Sequence, residues 1–231
     1  MSNSHSITDI IRERRTEKVL VDVDAPFAIN LADAATHQAT VVNAVETAGM
    51  APFHFDRGVD SIAEPWRAYT LTHDAARRLA IHLRDRMTVR SKEPNLLAGC
   101  GALVLVTWLP EALDSSYADS ASPAGNREKL RARDEEHLAA TGAMVQNLLL
   151  LLTAAGMGTY WSSGGKLGSP EVFDLLGISP DERLIAAVFI EFPDMAGQPA
   201  TRKTGSQKDK RSGRWFHKVD LAEATDSAEQ R

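Results

Sequence analysis

The stretch from Asp134 to Gly165, DEEHLAATGAMVQNLLLLLTAAGMGTYWSSGG, constrains the fold more than any other part of the chain. Asp134, Glu135 and Glu136 open it, where the positive end of a helix dipole favours carboxylates, so the pattern predicts a helix start there. From Leu138 the apolar residues keep to one side, and from Leu148 to Leu152 they cover the whole circumference. A helix of that kind is buried in a core or in an oligomer interface. About 20 residues at roughly 1.5 Å each span about 30 Å, the width of a domain. Ala139 to Met157 is also nearly long enough to cross a bilayer. Thr141, Gln146, Asn147 and Thr153 within the run, and the lack of a second candidate span, favour the central helix of a soluble domain. Gly156 and Gly158 are expected to stop it. The TYWSSGG that follows reads as a short extended segment opening into small residues, where backbone N–H groups can approach a flat ligand.

Around this helix the chain offers 231 residues, enough for one sizeable core. A formal net charge of -5 does not suit a dedicated nucleic-acid binder. The start, MSNSHSITDIIRERR, has no apolar core of the kind a secretion signal needs, which predicts a cytoplasmic protein. Cys100 is the single cysteine, so neither an internal disulfide nor a thiolate metal cluster is available, and a small buried thiol is expected there.

In chain order, Ile7 to Arg15 reads as a helix with Thr8 as N-cap and Ile10 and Ile11 on its buried face. It runs into Arg12, Arg14, Arg15, Thr16 and Lys18. Cations and a hydroxyl at a helix end form either a phosphate site or a solvated basic turn. Ile29 to Ala48 is a second helix ended by Gly49, and the loop between Pro52 and Pro65 is too rich in Gly, Asp and Pro for regular structure. Within it His54 has no partners at metal-ligand spacing; it either faces a ligand or caps the loop. Trp66 to Thr72 is a strand, Asp74 to Val89 an arginine-rich amphipathic helix, and Ala102 to Trp108 a buried strand. The polar segment from Leu109 to Arg133 suits a lid or binding loop as well as simple surface disorder. Ser169 caps a short helix from Pro170 to near Gly177, and Leu184 to Phe192 is a strong strand. Residues 1–198 form the expected domain; 199–231 are a basic arm and a polar tail, which either wrap a partner subunit or are disordered. Helices outnumber strands, which indicates an α+β layer fold.

Four stretches in order resemble the FMN-dependent nitroreductase family, between about Ile7 and Pro193. Arg14-Arg15-Thr16-Glu17-Lys18 resembles the family's R-R-S-x-R/K turn. Ala51-Pro52 and Pro65-Trp66-Arg67 resemble the two ends of its A-P-S-x-x-N-x-Q-P-W loop. Gln146-Asn147-Leu148 with Gly156-Met157-Gly158 resembles its Q-N-L…A-x-G-x-G segment, and Leu176-Gly177-Ile178 before a strand ending at Pro193 resembles its L-G-I-P…G-Y-P ending. The resemblance implies a central mixed sheet flanked by helices, in an intertwined homodimer with FMN at its interface.

By the same resemblance Arg14, Arg15, Thr16 and Lys18 hold the FMN phosphate, helped by Arg202 or Lys203 of the arm, with Arg211 a weaker candidate. Pro52, Phe53 and His54 line the ring, and Ser162, Ser163 and Gly164 aim backbone N–H groups at its N5 and O4 edge. Fixed donors there stabilise the charge that develops when the ring accepts hydride. His54 is the one residue expected to deliver a proton. The chain departs from the pattern in about six extra residues between Pro52 and Pro65. It also has Glu64 in place of the Gln before Pro-Trp, and Glu191-Phe192 in place of Gly-Tyr. An ionised Glu64 cannot donate to a flavin carbonyl. The implied activity is ping-pong hydride transfer from NAD(P)H through flavin N5 to a small-molecule acceptor such as a nitroaromatic or quinone. No metal, nucleic acid or membrane is expected. The alternatives are a specialised flavoenzyme of the same fold (heterocycle oxidation, dehalogenation or flavin processing) and a non-catalytic flavin-binding sensor dimer.

Overall fold

The computed structural model describes residues 6–112 and 123–219. Its centre is a four-stranded sheet in the order β2-β3-β5-β4, built from β2 (Trp66–Thr72), β3 (Ala102–Trp108), β4 (Gly158–Ser162) and β5 (Arg183–Glu191). Every pairing in it is antiparallel, so the sheet is not mixed as expected. A separate ribbon pairs β1 (Glu17–Leu20) with β6 (Thr201–Thr204), which folds the start of the arm back on its own chain. Both the Trp66–Thr72 and Ala102–Trp108 strands fall where the sequence places them.

Ala102 to Val106 of β3 are all buried, and successive strand residues point to opposite faces, so both faces of the sheet are covered. α2 (Leu31–Ala48) and α5 (Pro123–Ala154) pack on each other and on the sheet; α3 (His73–Asp85) packs on the sheet and on α4 (Glu93–Ala98), which lies against β1. Thr72 accepts the Ala75 N–H and caps α3. Cys100 is buried in this core, and burial pushes its thiol up to about 12.

α5 corrects the expected helix start. It begins at Pro123, so positions 123–133 of the supposed irregular segment are helical, and positions 113–122 lie outside the described residues. Asp134 marks no helix start: its carboxylate accepts the Glu111 N–H at 2.6 Å and the Ala112 N–H at 3.1 Å, tying the chain after β3 to the helix flank. Glu128–Ala154 is long and apolar enough to cross a membrane by length and composition. However, Met144, Val145, Leu148, Leu149 and Leu152 are buried in the core, each contributing roughly 1.5–3 kcal/mol. Asn147, Leu150, Leu151 and Ala154 line an apolar cleft with Thr47 of α2 and with Ile7 and Ile10. Gly156 (φ +72°) ends the helix turn, whereas Gly158 already belongs to β4.

Two smaller expectations are also revised. α1 (Ile7–Glu13) is capped by Ser6, which accepts the Asp9 N–H, and Ile11 is exposed. The loop between Pro52 and Pro65 contains a small hairpin: Arg57 N–H reaches Ala63 O at 2.8 Å, and Ile62 N–H reaches Val59 O at 3.0 Å. Asp60 and Ser61 both have positive φ at its tip, the geometry of a two-residue turn that matches strand twist. α6 (Pro170–Leu176) follows Ser169 as expected.

Candidate active site

The chain leaves α1 at Arg14 and enters β1 at Glu17, so Arg14, Arg15 and Thr16 sit in the link between them. Antiparallel pairing sets Lys18 opposite Lys203 and Val19 opposite Arg202, and Gly205 N–H closes the ribbon on Thr16 O at 2.8 Å. The arm then makes a single 3-10 turn, Gln207–Lys210, which returns it to the end of α1. Lys208 Nζ donates to Arg14 O at 3.2 Å, and Arg15 forks onto the two Asp209 oxygens at 3.2 and 3.3 Å. Burial first, and Arg211 second, hold the Arg14 guanidinium below its ordinary range. The Lys208 amine is likewise lowered, by partial desolvation and then by Arg15, Arg14 and Arg211; Asp209 opposes this. Among the described residues, these four cations thus act on one another, and Asp209 pairs with Arg15 and offsets Lys208.

The arm therefore brings Lys208 and Arg211 to Arg14 and Arg15, and engages Arg202 elsewhere. Arg202 donates to Glu191 Oε1, to Met195 O and to Gln198 O, and lies 5.4 Å from the Phe27 ring centroid. Lys203 is exposed on β6. The density of cations from Lys208 to Arg211 was visible in the sequence, but only the return of the ribbon through Gly205 selects among them. Lys18 reaches Tyr160 of β4, 3.5 Å from its hydroxyl and 4.8 Å from its ring centroid.

A second group of residues forms at the end of β4. Gly164 and Gly165 both have positive φ, at +92° and +53°, and a Cβ on either would collide with Leu184 or with Glu93. Only glycine permits this turn. Ser162 Oγ takes the Gly164 N–H at 3.2 Å and Glu93 Oε1 takes the Lys166 N–H at 3.3 Å. Among the described residues, the N–H groups of Ser163 and Gly165 have no hydrogen-bond partner, whereas that of Gly164 is taken by Ser162 Oγ. Glu93 had no signal in the sequence, since only the fold brings α4 against this turn.

The third group stands apart. Pro52, Phe53 and His54 are exposed; Phe53 lies edge-on to Trp66 at 5.6 Å, and His54 edge-on to Phe55 at 4.5 Å. Trp66 begins β2, and β2 and β4 are opposite edges of the sheet. Three strand spacings separate them, about 14 Å. Glu64 is half-buried behind this loop, its carbonyl taken by Arg67 at 3.0 Å. Among the described residues, the Pro52–His54 group and the Ser163–Gly165 group thus adjoin opposite edges of the sheet.

Two other charged places complete the picture. The carboxylate of Glu111, after β3, meets His137 Nε2 at 2.7 Å and Arg133 at 3.1 Å, and Glu111 and His137 are each 1% exposed. Arg133 also lies 4.9 Å from the Phe55 ring centroid. A polar cavity of about 400 Å³ is lined by Arg57, Arg67 and Arg183, matched by Asp60, Asp181 and Glu182. Glu182 there accepts from Tyr69 at 2.7 Å and from Thr107, and burial followed by Glu182 raises the Tyr69 hydroxyl.

Residues 30–190 match the model of the Nitroreductase family, and the chain belongs to that family, one of oxidoreductases. It is 26% identical over 211 residues to YfhC of Bacillus subtilis strain 168, provisionally named an NAD(P)H nitroreductase; the match covers 87% of this chain and 91% of YfhC. Among solved structures, a nitroreductase-like protein of Bacillus cereus superposes with a TM-score of 0.56 at 19% identity, covering 96% of this chain and 99% of that one. A nitroreductase-like protein of Desulfovibrio desulfuricans, solved with FMN, gives 0.54 at 18% identity, covering 95% and 100%. At these identities the likeness shows the fold.

Proposed function

We propose that the protein is a cytoplasmic, homodimeric, FMN-dependent oxidoreductase that takes reducing equivalents from NAD(P)H and passes them to a nitroaromatic, a quinone or a similar small acceptor. What carries this reading is the basic cluster: Arg14, Arg15, Lys208 and Arg211 crowd one another, partly offset by Asp209, and a phosphate monoester relieves that crowding. The FMN-bound Desulfovibrio structure and the NAD(P)H assignment of YfhC support the choice of cofactor and reductant.

In this reading Arg14, Arg15, Lys208 and Arg211 bind the phosphate, with Thr16 and Lys18 along β1. Bound FMN supplies hydride acceptance from a reduced nicotinamide and its delivery to the acceptor. Ser163 and Gly165 offer fixed N–H groups to the ring edge where negative charge grows, and such donors need no reorganisation. Pro52, Phe53 and His54 wall the ring from a second copy of the chain, since their own copy holds them at the far edge of the sheet. The apolar cleft of Ile7, Ile10, Leu150 and Leu151 provides a face for that second copy. His54 is exposed and able to carry a proton to the acceptor.

The test is the visible spectrum of the purified protein, followed by anaerobic NADPH and then NADH. A flavin band that bleaches supports the proposal. A band that persists with both transfers the reading to a specialised flavoenzyme or a flavin-binding sensor, which the built hairpin from Arg57 to Ala63 favours. A protein that takes up no FMN refutes it.

A further inference from the structure

Glu93 opens α4 and presses its carboxylate into the turn after β4. Oε1 accepts the Lys166 N–H at 3.3 Å and lies so close to Gly165 that only the absence of a side chain there accommodates it. Oε2 is shielded from solvent and has no hydrogen-bond partner among the described residues. A carboxylate oxygen in that condition is unfavourable, and the chemistry proposed above does not use it. The Lys166 N–H that this carboxylate accepts lies one residue from Gly165 and three from Ser163.

These two features act on a bound ring in opposite senses. Backbone N–H groups favour the electron-rich, reduced ring, and a fixed negative charge beside them opposes it. We propose that Glu93 is a positioning residue of the flavin site: it fixes the Ser163–Gly165 turn and, by its charge, lowers the reduction potential of the flavin seated there. A lower potential makes the reduced cofactor a stronger donor to a nitro group or quinone. This inference rests on the FMN reading above.

Glu93→Gln separates the two roles, because the amide oxygen still accepts the Lys166 N–H while the charge is gone. Glu93→Ala removes both. In the FMN-loaded protein the midpoint potential is measured against a reference dye, and sulfite affinity by absorbance. Sulfite bonds to N5 through its lone pair and leaves a negative charge on the ring, so it reports the same field. Glu93→Gln is expected to bind FMN nearly as well as the wild type, to shift its potential upward, and to bind sulfite on the order of tenfold more tightly. Glu93→Ala is expected to show the same upward shift together with weaker FMN binding, since the turn loses its anchor. A Glu93→Gln protein that binds FMN with the potential and sulfite affinity of the wild type overturns the proposal. Wild-type protein that takes up no FMN overturns the cofactor reading itself, a distinct result.

Discussion

Two charged regions of this molecule are built on opposite plans. Around Glu111 the charges are balanced within the chain: the carboxylate holds His137 and Arg133 together in a buried place, and Asp134 fastens the backbone on which it sits. Around Arg14 they are not, since Arg15, Lys208 and Arg211 share one exposed Asp209. The first arrangement stabilises a junction between β3 and α5. The second leaves like charges close together, which folding alone does not favour and which the proposed phosphate would relieve.

The largest effect should come from breaking the balanced region. Glu111→Ala leaves Arg133 and His137 without their shared partner and should destabilise the protein by about 3 kcal/mol. The figure sits low in the range for buried pairs because Arg133 is 35% exposed. Denaturant titration measures it, while FMN affinity of the folded protein should change far less. The mirror image is Arg14→Ala combined with Arg15→Ala. That double variant should bind FMN on the order of a hundredfold more weakly, as expected for losing two charged hydrogen bonds, yet melt near the wild-type temperature without flavin. If both variants lost stability and flavin together, the distinction between the regions would collapse.

The balanced region was also the less legible one. Local patterns announced Trp66–Thr72, Ala102–Trp108 and the apolar heart of α5, because periodicity and continuous apolar runs are properties of the chain itself. The helix start is not legible at Asp134, because a carboxylate that favours a helix N-terminus looks the same in sequence as one that accepts two distant backbone N–H groups. The Arg14–Arg15 part of the site stood out as a motif, but its partners in the arm depended on a strand pairing that no local pattern encodes. Glu93 and Lys208 became candidates only when α4 and the 3-10 turn were in place, and Arg211, the weaker candidate in the sequence, reaches Arg14 through the same turn. Composition reveals a cation-rich arm; topology decides which cation arrives.

A smaller effect tests whether Lys208 belongs to the unbalanced region. Its folded-state pKa is lowered by desolvation and by Arg15, Arg14 and Arg211, and a bound phosphate raises it again. Between those two values the free protein carries a neutral amine and the complex a protonated one, so binding takes up a proton. FMN affinity should therefore fall as pH rises through that alkaline window, by no more than about tenfold per unit of pKa difference, and should level off above it. Fluorescence titrations across pH measure the slope, and Lys208→Met should abolish it. A wild-type slope in Lys208→Met would place the titrating group elsewhere.

The smallest change sharpens the comparison most. Asp209 is a carboxylate within the basic cluster, and its pairing with Arg15 is well exposed, with side chains 59% and 41% accessible. Such a pair contributes at most about 1 kcal/mol, so Asp209→Asn should leave stability almost unchanged. It should also release the Arg15 fork for the phosphate and tighten FMN by a few-fold at low salt, with the gain fading as salt screens the cluster. In the balanced region the same kind of substitution, loss of a carboxylate beside arginine, is expected to do harm. An Asp209→Asn protein that binds FMN more weakly would mean that Asp209 orients Arg15 for the ligand as Glu111 orients Arg133 for the fold. The two regions would then differ in exposure alone and not in plan.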